Sequence, residues 1–408
     1  MHYSQPKNQR SFFFLLSVFF LCFEPRMEVL AGSITKGVQS SGASYEISMP
    51  SSWNGDLVIY AHGYVAFNKP VAVPNDALPG GTTVADIVNG LGYAYAASSY
   101  RENGLAVLDG IRDSVDLVSV FKSTVGTPGR VFIFGVSEGG LVAVKALEQY
   151  PDVFCGGLVL CGPIGNFRAQ VNYIADFRAL YDCYFPGVLP GNAITVPDSV
   201  ISSWYKYYEP AALYAVAAQP RSGRELLRVA RAAFDPADES TLYETVQGLL
   251  WYQVYATEDA ERKLGGQPYD NTKRLYTGSA NDALLNQKVF RTSADPQALA
   301  ALQAYQTTGK LRVPLVTMHT TGDEIVPYWH QTKYTSKVKA SGSSSCYYAI
   351  AINRYGHCNV TASEIMSGFI ILLHKTQAPL QRQSGTSSKL SPELRKKLNG
   401  WKGKKLFR

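Results

Sequence analysis

Residues 131–140, Val-Phe-Ile-Phe-Gly-Val-Ser-Glu-Gly-Gly, decide the fold of this chain. The first four are large, apolar and uncharged, which is typical of a central strand buried on both faces. The next five have the pattern G-x-S-x-G, and a helix is predicted from about Glu138 to Gln149. A strand that turns this sharply into a helix holds Ser137 at its tip in a strained conformation, and bulky side chains two residues before or after it would collide there. The helix N-terminus also favours negative charge that develops near the serine.

The pentapeptide alone is a weak signal, since a plain glycine-rich turn has the same composition. It gains weight because further apolar strands alternate with amphipathic helices along the chain. An edge strand is predicted at Ser44–Met49, and core strands at Asp56–Ala61, Tyr93–Ala97, Gly157–Cys161, Val313–His319 and Cys346–Ile352. Such alternation predicts an α/β fold with a mostly parallel central sheet and helices on both faces.

The alternation stops between residues 165 and 311, where no convincing core strand occurs. This stretch is rich in Ala, Leu, Gln and Tyr and contains six helical candidates, so we interpret it as a helical cap inserted into a core made of residues 32–164 and 312–380. Its aromatic residues either pack the cap or contact substrate. They are Trp204, Tyr205, Tyr207, Tyr208, Trp251, Tyr252 and Tyr255.

Both ends of the chain differ from this core. Residues 1–31 have a basic start, an apolar middle and a small residue, Ala31, which is the layout of a secretory signal peptide. We therefore expect cleavage after Ala31 and an extracellular or periplasmic protein; an uncleaved membrane anchor is the alternative. The tail, residues 381–408, has nine basic residues against one acid, so the net charge of +7 belongs to the tail and the remainder is near −1. The tail is either a solvated extension or a segment that contacts an anionic surface.

Five cysteines follow the predicted signal peptide. Export makes disulfide bonds possible, and Cys161–Cys183 and Cys346–Cys358 are the pairings considered. Because five is an odd number, at least one thiol stays free or pairs between chains. No CxxC spacing or other metal-ligand cluster occurs, so no metal is expected.

Four places in the chain together resemble the α/β-hydrolase superfamily, with some similarity to the catalytic domains of prolyl-oligopeptidase relatives. They are the His62-Gly63 pair, the elbow at Ser137, the segment 322–327 containing Asp323, and the Gly356-His357 pair. Each follows a predicted strand, and the order Ser, Asp, His is that of the superfamily. The resemblance covers residues 44–376 apart from the cap.

This resemblance implies a catalytic triad. Ser137 would be the nucleophile, His357 the general base, and Asp323 the acid that orients the imidazole. It also implies an oxyanion hole with one backbone N–H from Glu138 and one from the loop after Gly63, for which Tyr64 is the candidate. The rivals are His319 as base and Glu324 as acid. Tyr100 is a further residue that either faces the pocket or packs in the core.

These residues predict a secreted serine hydrolase that cleaves carboxylic esters through an acyl-enzyme. The substrate would be a small-molecule or polymeric ester. The alternatives are a serine peptidase or aminopeptidase acting on short peptides and a non-catalytic binding protein that kept the fold. No cofactor is implied, because neither a phosphate-binding glycine loop nor a metal cluster occurs, and nothing resembles a nucleic-acid-binding module.

Overall fold

A computed structural model describes residues 31–77 and 81–383, and the side chains of residues 32–77 and 81–376. The sequence up to residue 30, which holds nearly all of the predicted signal peptide, lies outside the described residues. So does the basic tail from residue 384 onward. No helix within the described ranges combines the length and the apolar character needed to cross a membrane.

Eight strands form a single sheet in the described residues, in the order β1-β2-β4-β3-β5-β6-β7-β8. The first two pairings are antiparallel and all others are parallel. All residues of β3, β4 and β6 are buried, as expected for strands covered on both faces. The strands are β1 Ala31–Val38, β2 Ser44–Pro50, β3 Leu57–Ala61, β4 Ala94–Ser98, β5 Val131–Val136, β6 Gly156–Leu160, β7 Leu315–Gly322 and β8 Tyr347–Tyr355.

Helices cover both faces of this sheet, which confirms the predicted α/β-hydrolase fold. The helices are α1 Val84–Gly90, α2 Val107–Thr124, α3 Glu138–Gln149, α4 Phe167–Tyr184, α5 Asp198–Ser203, α6 Glu209–Ala218, α7 Pro220–Ala230, α8 Ser240–Leu264, α9 Asp282–Lys288, α10 Pro296–Ala301, α11 Trp329–Ala340 and α12 Ala362–Gln383. One apolar core joins α2, α3 and α11 to the sheet, and a second joins α1 and α12 to its other face.

The chain between β6 and β7 is helical throughout its regular structure, from α4 to α10. These helices have an apolar core of their own around Trp204 and Leu250, which reaches the main domain at Ile325 and Val326. Its longest member, α8, runs beyond the predicted limits near Tyr243 and Tyr255 in both directions. The short helix α9 was not predicted, because seven residues show too little periodicity to stand out.

The strand β1 was also not predicted, and Ser44–Met49 is therefore not the edge strand that the sequence indicated. β1 pairs antiparallel with β2 and forms the true edge of the sheet. Its two large aliphatic residues, Ile34 and Val38, are exposed, so the strand lacks the alternation of buried and polar residues that marks an edge strand. Cleavage after Ala31 would remove only the first residue of β1.

The disulfide prediction is wrong, because all five described cysteines are free thiols. Cys346 precedes β8 and Cys358 follows it, and a strand of nine residues separates its ends by about 27 Å. Cys183 lies in the last turn of α4, about 24 Å along that helix from Phe167, where the first helix after Cys161 begins. A disulfide needs Cα atoms within about 7 Å of each other.

The turn from β5 into α3 is packed so closely that its glycines have no room for a side chain. A Cβ atom on Gly139 would lie 2.0 Å from the carbonyl oxygen of Ala61 in β3, and one on Gly135 would lie 2.2 Å from the carbonyl oxygen of Gly139. Between them Ser137 has φ 56° and ψ −123°, a left-handed conformation that is costly for a residue with a Cβ. The predicted strain at Ser137 is thus a consequence of backbone packing.

We expect Gly139→Ala to lower the free energy of unfolding by about 3 kcal/mol or more, because a backbone atom of β3 blocks the new methyl group. Gly129→Ala is the control, since the nearest atom to a Cβ there is a side-chain oxygen of Asp56 at 3.3 Å. Urea denaturation of both variants measures the difference. Equal loss of stability in the two variants would contradict this account of the turn.

Candidate active site

Three polar side chains meet at the carboxyl ends of the parallel strands, each directly following a strand. Ser137 follows β5, Asp323 follows β7, and His357 follows β8 after Gly356. Because these strands are parallel, their carboxyl ends lie at the same edge. The Nε2 atom of His357 lies 2.8 Å from the Oγ of Ser137, and its Nδ1 lies 2.9 and 3.0 Å from the two carboxylate oxygens of Asp323. The three predicted triad residues therefore form a continuous hydrogen-bonded chain.

The carboxylate of Asp323 is fully buried and held on several sides. Its Oδ1 accepts hydrogen bonds from the backbone amides of Ile325 at 3.1 Å and Val326 at 2.7 Å. Burial alone would raise the pKa of Asp323, but attraction to His357 and hydrogen bonds from His319 and His357 outweigh it and lower the pKa. Asp323 is therefore a fixed negative charge facing the imidazole.

The loop that carries His357 is anchored to β7. Gly356 has φ 105°, its amide donates to the carbonyl oxygen of Gly322 at 3.2 Å, and its own carbonyl oxygen accepts from Thr320 Oγ1 at 2.8 Å. Burial alone would lower the pKa of His357, but attraction and hydrogen bonding to Asp323 reverse this and raise the pKa to about 9. Asp323 thus stabilises the protonated imidazole, as a general base requires.

The rivals of these residues are placed differently. His319 is buried, its Nε2 lies 2.7 Å from the carbonyl oxygen of Val326 and 3.4 Å from Oδ2 of Asp323, and it makes no hydrogen bond to Ser137 in the described residues. In the described residues Glu324 makes no hydrogen bond to the imidazole of His357, and its buried Oε2 has no partner there. Burial and the neighbouring Asp323 raise the pKa of Glu324 to about 7.

Tyr100 packs in the core. Its side chain is fully buried, and its ring stacks on His62 with 3.9 Å between the ring centroids. The Nδ1 atom of His62 in turn lies 2.7 Å from the carbonyl oxygen of Gly63. Both residues therefore support the loop that follows β3.

That loop passes directly over the serine, where the sequence predicted the oxyanion hole. A Cβ on Gly63 would lie 3.2 Å from the Cβ of Ser137. The amides of Tyr64 and Glu138 take part in none of the hydrogen bonds formed within the described residues. Glu138 is also the first residue of α3, so its amide belongs to the helix N-terminus. Two unpaired amides therefore belong to residues next to the nucleophile.

The side chain of Tyr64 ties this loop to the cap. Its hydroxyl donates to the carbonyl oxygen of Tyr255 in α8 at 2.7 Å, and its ring lies against Trp251 and Tyr252 of the same helix. Tyr252 also lines the cavity that contains Ser137. The sequence placed Tyr252 only in an aromatic cluster, because its position beside Ser137 depends on how α8 packs over the core.

A cavity between the cap and the sheet opens onto Ser137, and we call it the cap cavity. It encloses about 920 Å³, its open mouth included, and its wall is mostly apolar. Representative lining residues are Leu105, Phe167, Ile174, Tyr252, Ala256 and Ile325. Two acidic residues, Glu138 and Glu261, also line it. Burial raises the pKa of Glu138 to about 8, against the attraction of Lys263.

Several solved structures are similar to this chain. They include puromycin hydrolase (13% identity, TM-score 0.41, 85% of this chain and 38% of that chain) and an acylaminoacyl peptidase of Pyrococcus horikoshii (10%, 0.43, 84% and 41%). An esterase of Pyrococcus furiosus is similar at 12% identity and a TM-score of 0.42, over 85% of this chain and 90% of that chain. This chain thus spans about two fifths of the length of the first two proteins. No curated relative matches its sequence.

Residues 102–352 match the family described as serine aminopeptidase, S33. The matched stretch is more than half of the chain and runs from the start of α2 through the elbow, the cap and most of β8. It contains Ser137 and Asp323, and His357 follows it by five residues. The chain therefore belongs to the serine aminopeptidase S33 family of α/β-hydrolases.

Proposed function

We propose that the protein hydrolyses carboxylic esters through a covalent acyl-enzyme on Ser137. The observation that carries this proposal is the hydrogen-bonded chain from Ser137 through His357 to Asp323. A hydroxyl becomes a competent nucleophile when a positioned base accepts its proton, and a base keeps the correct tautomer when a carboxylate holds its other nitrogen. A binding protein without catalytic activity would have no use for all three residues in this geometry.

In the proposed first step, Ser137 Oγ attacks the ester carbonyl while its proton moves to His357 Nε2. The amides of Glu138 and Tyr64 stabilise the oxyanion, and Asp323 stabilises the imidazolium. His357 then donates the proton to the departing alcohol, which leaves the acyl group on Ser137. In the second step His357 removes a proton from water, the resulting hydroxide attacks the acyl-enzyme, and the proton returns to Ser137 as the acid is released.

The mostly apolar wall of the cap cavity favours an uncharged acyl group. Burying apolar surface contributes roughly 25 cal/mol per Å², so alkyl or aromatic acyl chains would bind there with substantial gain. We therefore place the acyl group in the cap cavity, over Tyr252 and Ile325. The acyl preference is set by the cap in this proposal.

A second candidate function is cleavage of an N-terminal amino acid from a peptide. The observation that favours it is the pair of acidic residues, Glu138 and Glu261, that line the cap cavity. An ionised carboxylate there can bind the ammonium group of an aminoacyl substrate. Because the raised pKa of Glu138 keeps it mostly neutral at pH 7, we favour esters. Comparing kcat/KM for p-nitrophenyl esters of graded acyl length with aminoacyl p-nitroanilides decides between the two.

We also propose that the protein is exported and that its basic tail contacts anionic surfaces. Both proposals rest on the sequence alone, namely the layout of residues 1–31 and the charge of residues 381–408. An ester held at such a surface would be presented to the enzyme at high local concentration.

Ser137→Ala and His357→Ala should each lower kcat by about 10⁴-fold, because each removes one end of a proton transfer. The double variant should lose no more than either single variant, since the two residues act as one unit. Steady-state kinetics on a p-nitrophenyl ester measures all three. Losses that multiply in the double variant would show that Ser137 and His357 act independently.

The rate should fall as the pH decreases through the pKa of His357, because the protonated imidazole cannot act as a base. The sequence alone predicts this fall below about pH 6 to 7. In the structure the buried Asp323 raises the pKa of His357 to about 9, so the fall in rate is expected at higher pH. Glu324→Gln should move the acidic limb to lower pH, because it removes a negative charge that raises the pKa of His357.

The control for this change is Asp152→Asn, which removes an exposed carboxylate paired with Arg312 outside the candidate site. The pH profile of kcat/KM is measured for the wild type and both variants at constant ionic strength. The raised pKa of His357 would be contradicted by a wild-type acidic limb with its midpoint below pH 6. Equal shifts of this midpoint in the two variants would contradict the effect of Glu324.

Export is expected to produce a mature N-terminus close to Gly32. Intact-mass measurement of protein recovered from the extracellular or periplasmic fraction of the native host checks this. Protein that retains residues 12–23 in that fraction would contradict cleavage, and protein confined to the cytoplasm would contradict export.

A further inference from the structure

A second cavity opens beside the candidate triad, on the His357 side, and we call it the loop cavity. It lies between the sheet, the loop after β8 and the segment 65–77 that follows β3. The two cavities share Tyr64, and Ser137 and His357 line different ones. Ser137 lines the cap cavity, while His357 lines the loop cavity.

This division assigns a role to each cavity, given the proposed mechanism. The acyl group stays bonded to Ser137, whereas the leaving group must lie where the protonated His357 can donate to it. The leaving group is therefore expected on the His357 side, in the loop cavity. Tyr64 borders both spaces, which agrees with an oxyanion donor that faces the bond between acyl and leaving groups.

Asp76 gives the loop cavity a negative charge. It lies on the wall of the cavity, and the hydroxyl of Tyr60 donates to its Oδ2 at 2.5 Å. Asp76 forms none of the ion pairs found in the described residues, and its Oδ1 makes none of their hydrogen bonds. The described wall of this cavity contains neither lysine nor arginine, and its basic side chains are the imidazoles of His62 and His357.

The aromatic residues of the loop cavity add to this preference. Tyr60, Tyr64 and Phe134 line it together with Asp76. Aromatic rings attract cations through their quadrupole, and a carboxylate attracts them through its charge. An anionic group would meet the carboxylate of Asp76 with no lysine or arginine on the described wall to compensate its charge.

We propose that the loop cavity binds the leaving group and that Asp76 makes it selective for leaving groups that carry a positive charge, such as amino alcohols. This inference rests on the proposed ester hydrolysis and extends it by naming the class of alcohol. Asp76 is a specificity-determining residue in this proposal and takes no part in the proton transfers.

The test compares two butyrate esters of nearly equal shape, that of choline and that of the neutral 3,3-dimethylbutanol. The wild type should hydrolyse the choline ester with a kcat/KM roughly threefold to tenfold higher, as for one partly solvated charge pair. Asp76→Asn should abolish this preference, so that kcat/KM for the choline ester falls toward that for the neutral ester. The preference should also weaken as the salt concentration rises.

Glu261→Gln is the matched control, because it removes an acid from the cap cavity and should keep the preference for choline. The role of Asp76 is overturned if Asp76→Asn retains the preference for choline. It is also overturned if the wild type hydrolyses both esters through Ser137 without any preference. Either outcome leaves the proposed function intact. Absence of any Ser137-dependent ester hydrolysis overturns the proposed function, and this inference with it.

A second measurement needs no ester turnover. Choline should slow the labelling of Ser137 by a fluorophosphonate more strongly than 3,3-dimethylbutanol does, and Asp76→Asn should remove the difference. Equal protection by both alcohols in the wild type overturns the proposal. Since the labelling rate without competitor also reports an intact site, it shows that Asp76→Asn is folded.

Discussion

The close approach of α3 to β3 at Gly139 is the constraint on which the site depends. The backbone of the two elements is so near that only hydrogen fits at this position, and the chain can turn from β5 into α3 only with Ser137 in a left-handed conformation. This conformation brings the hydroxyl toward His357 at the edge of the sheet and leaves the amide of Glu138 at the helix N-terminus. The position of the nucleophile is therefore set by the packing of the main domain.

The charge of the site is organised around one buried carboxylate. Asp323 is held by two backbone amides and two histidines, so that its negative charge is retained in an environment that would otherwise neutralise it. The two loop amides, His319 and His357 together offset the cost of burying this charge, and the charge in turn raises the pKa of His357. The cap contributes differently: through Tyr64 and Tyr255 it fixes the loop over the serine, and with its apolar wall it shapes the acyl space.

The sequence could predict what depends on short-range sterics and on strand order. The elbow, the fold class and the meeting of Ser137, Asp323 and His357 follow from motifs at strand ends, because parallel strands bring their carboxyl ends to one edge. The strand β1 escaped prediction because its apolar residues are exposed, and the disulfides were wrong because sequence spacing says little about distance across a strand or along a helix. Tyr252, the two cavities and the pKa of His357 depend on contacts between residues far apart in the chain, which no local pattern encodes.

The central claim is that hydrolysis proceeds through an acyl group on Ser137, and rapid quenching tests it most directly. After mixing with a p-nitrophenyl ester, the account predicts a burst of p-nitrophenol that does not exceed one equivalent of enzyme, provided that deacylation is slower than acylation. At the same quench times, mass spectrometry should find the acyl group on the peptide that contains Ser137. Hydrolysis by the wild type that shows no adduct at any quench time and continues undiminished in Ser137→Ala would contradict the account.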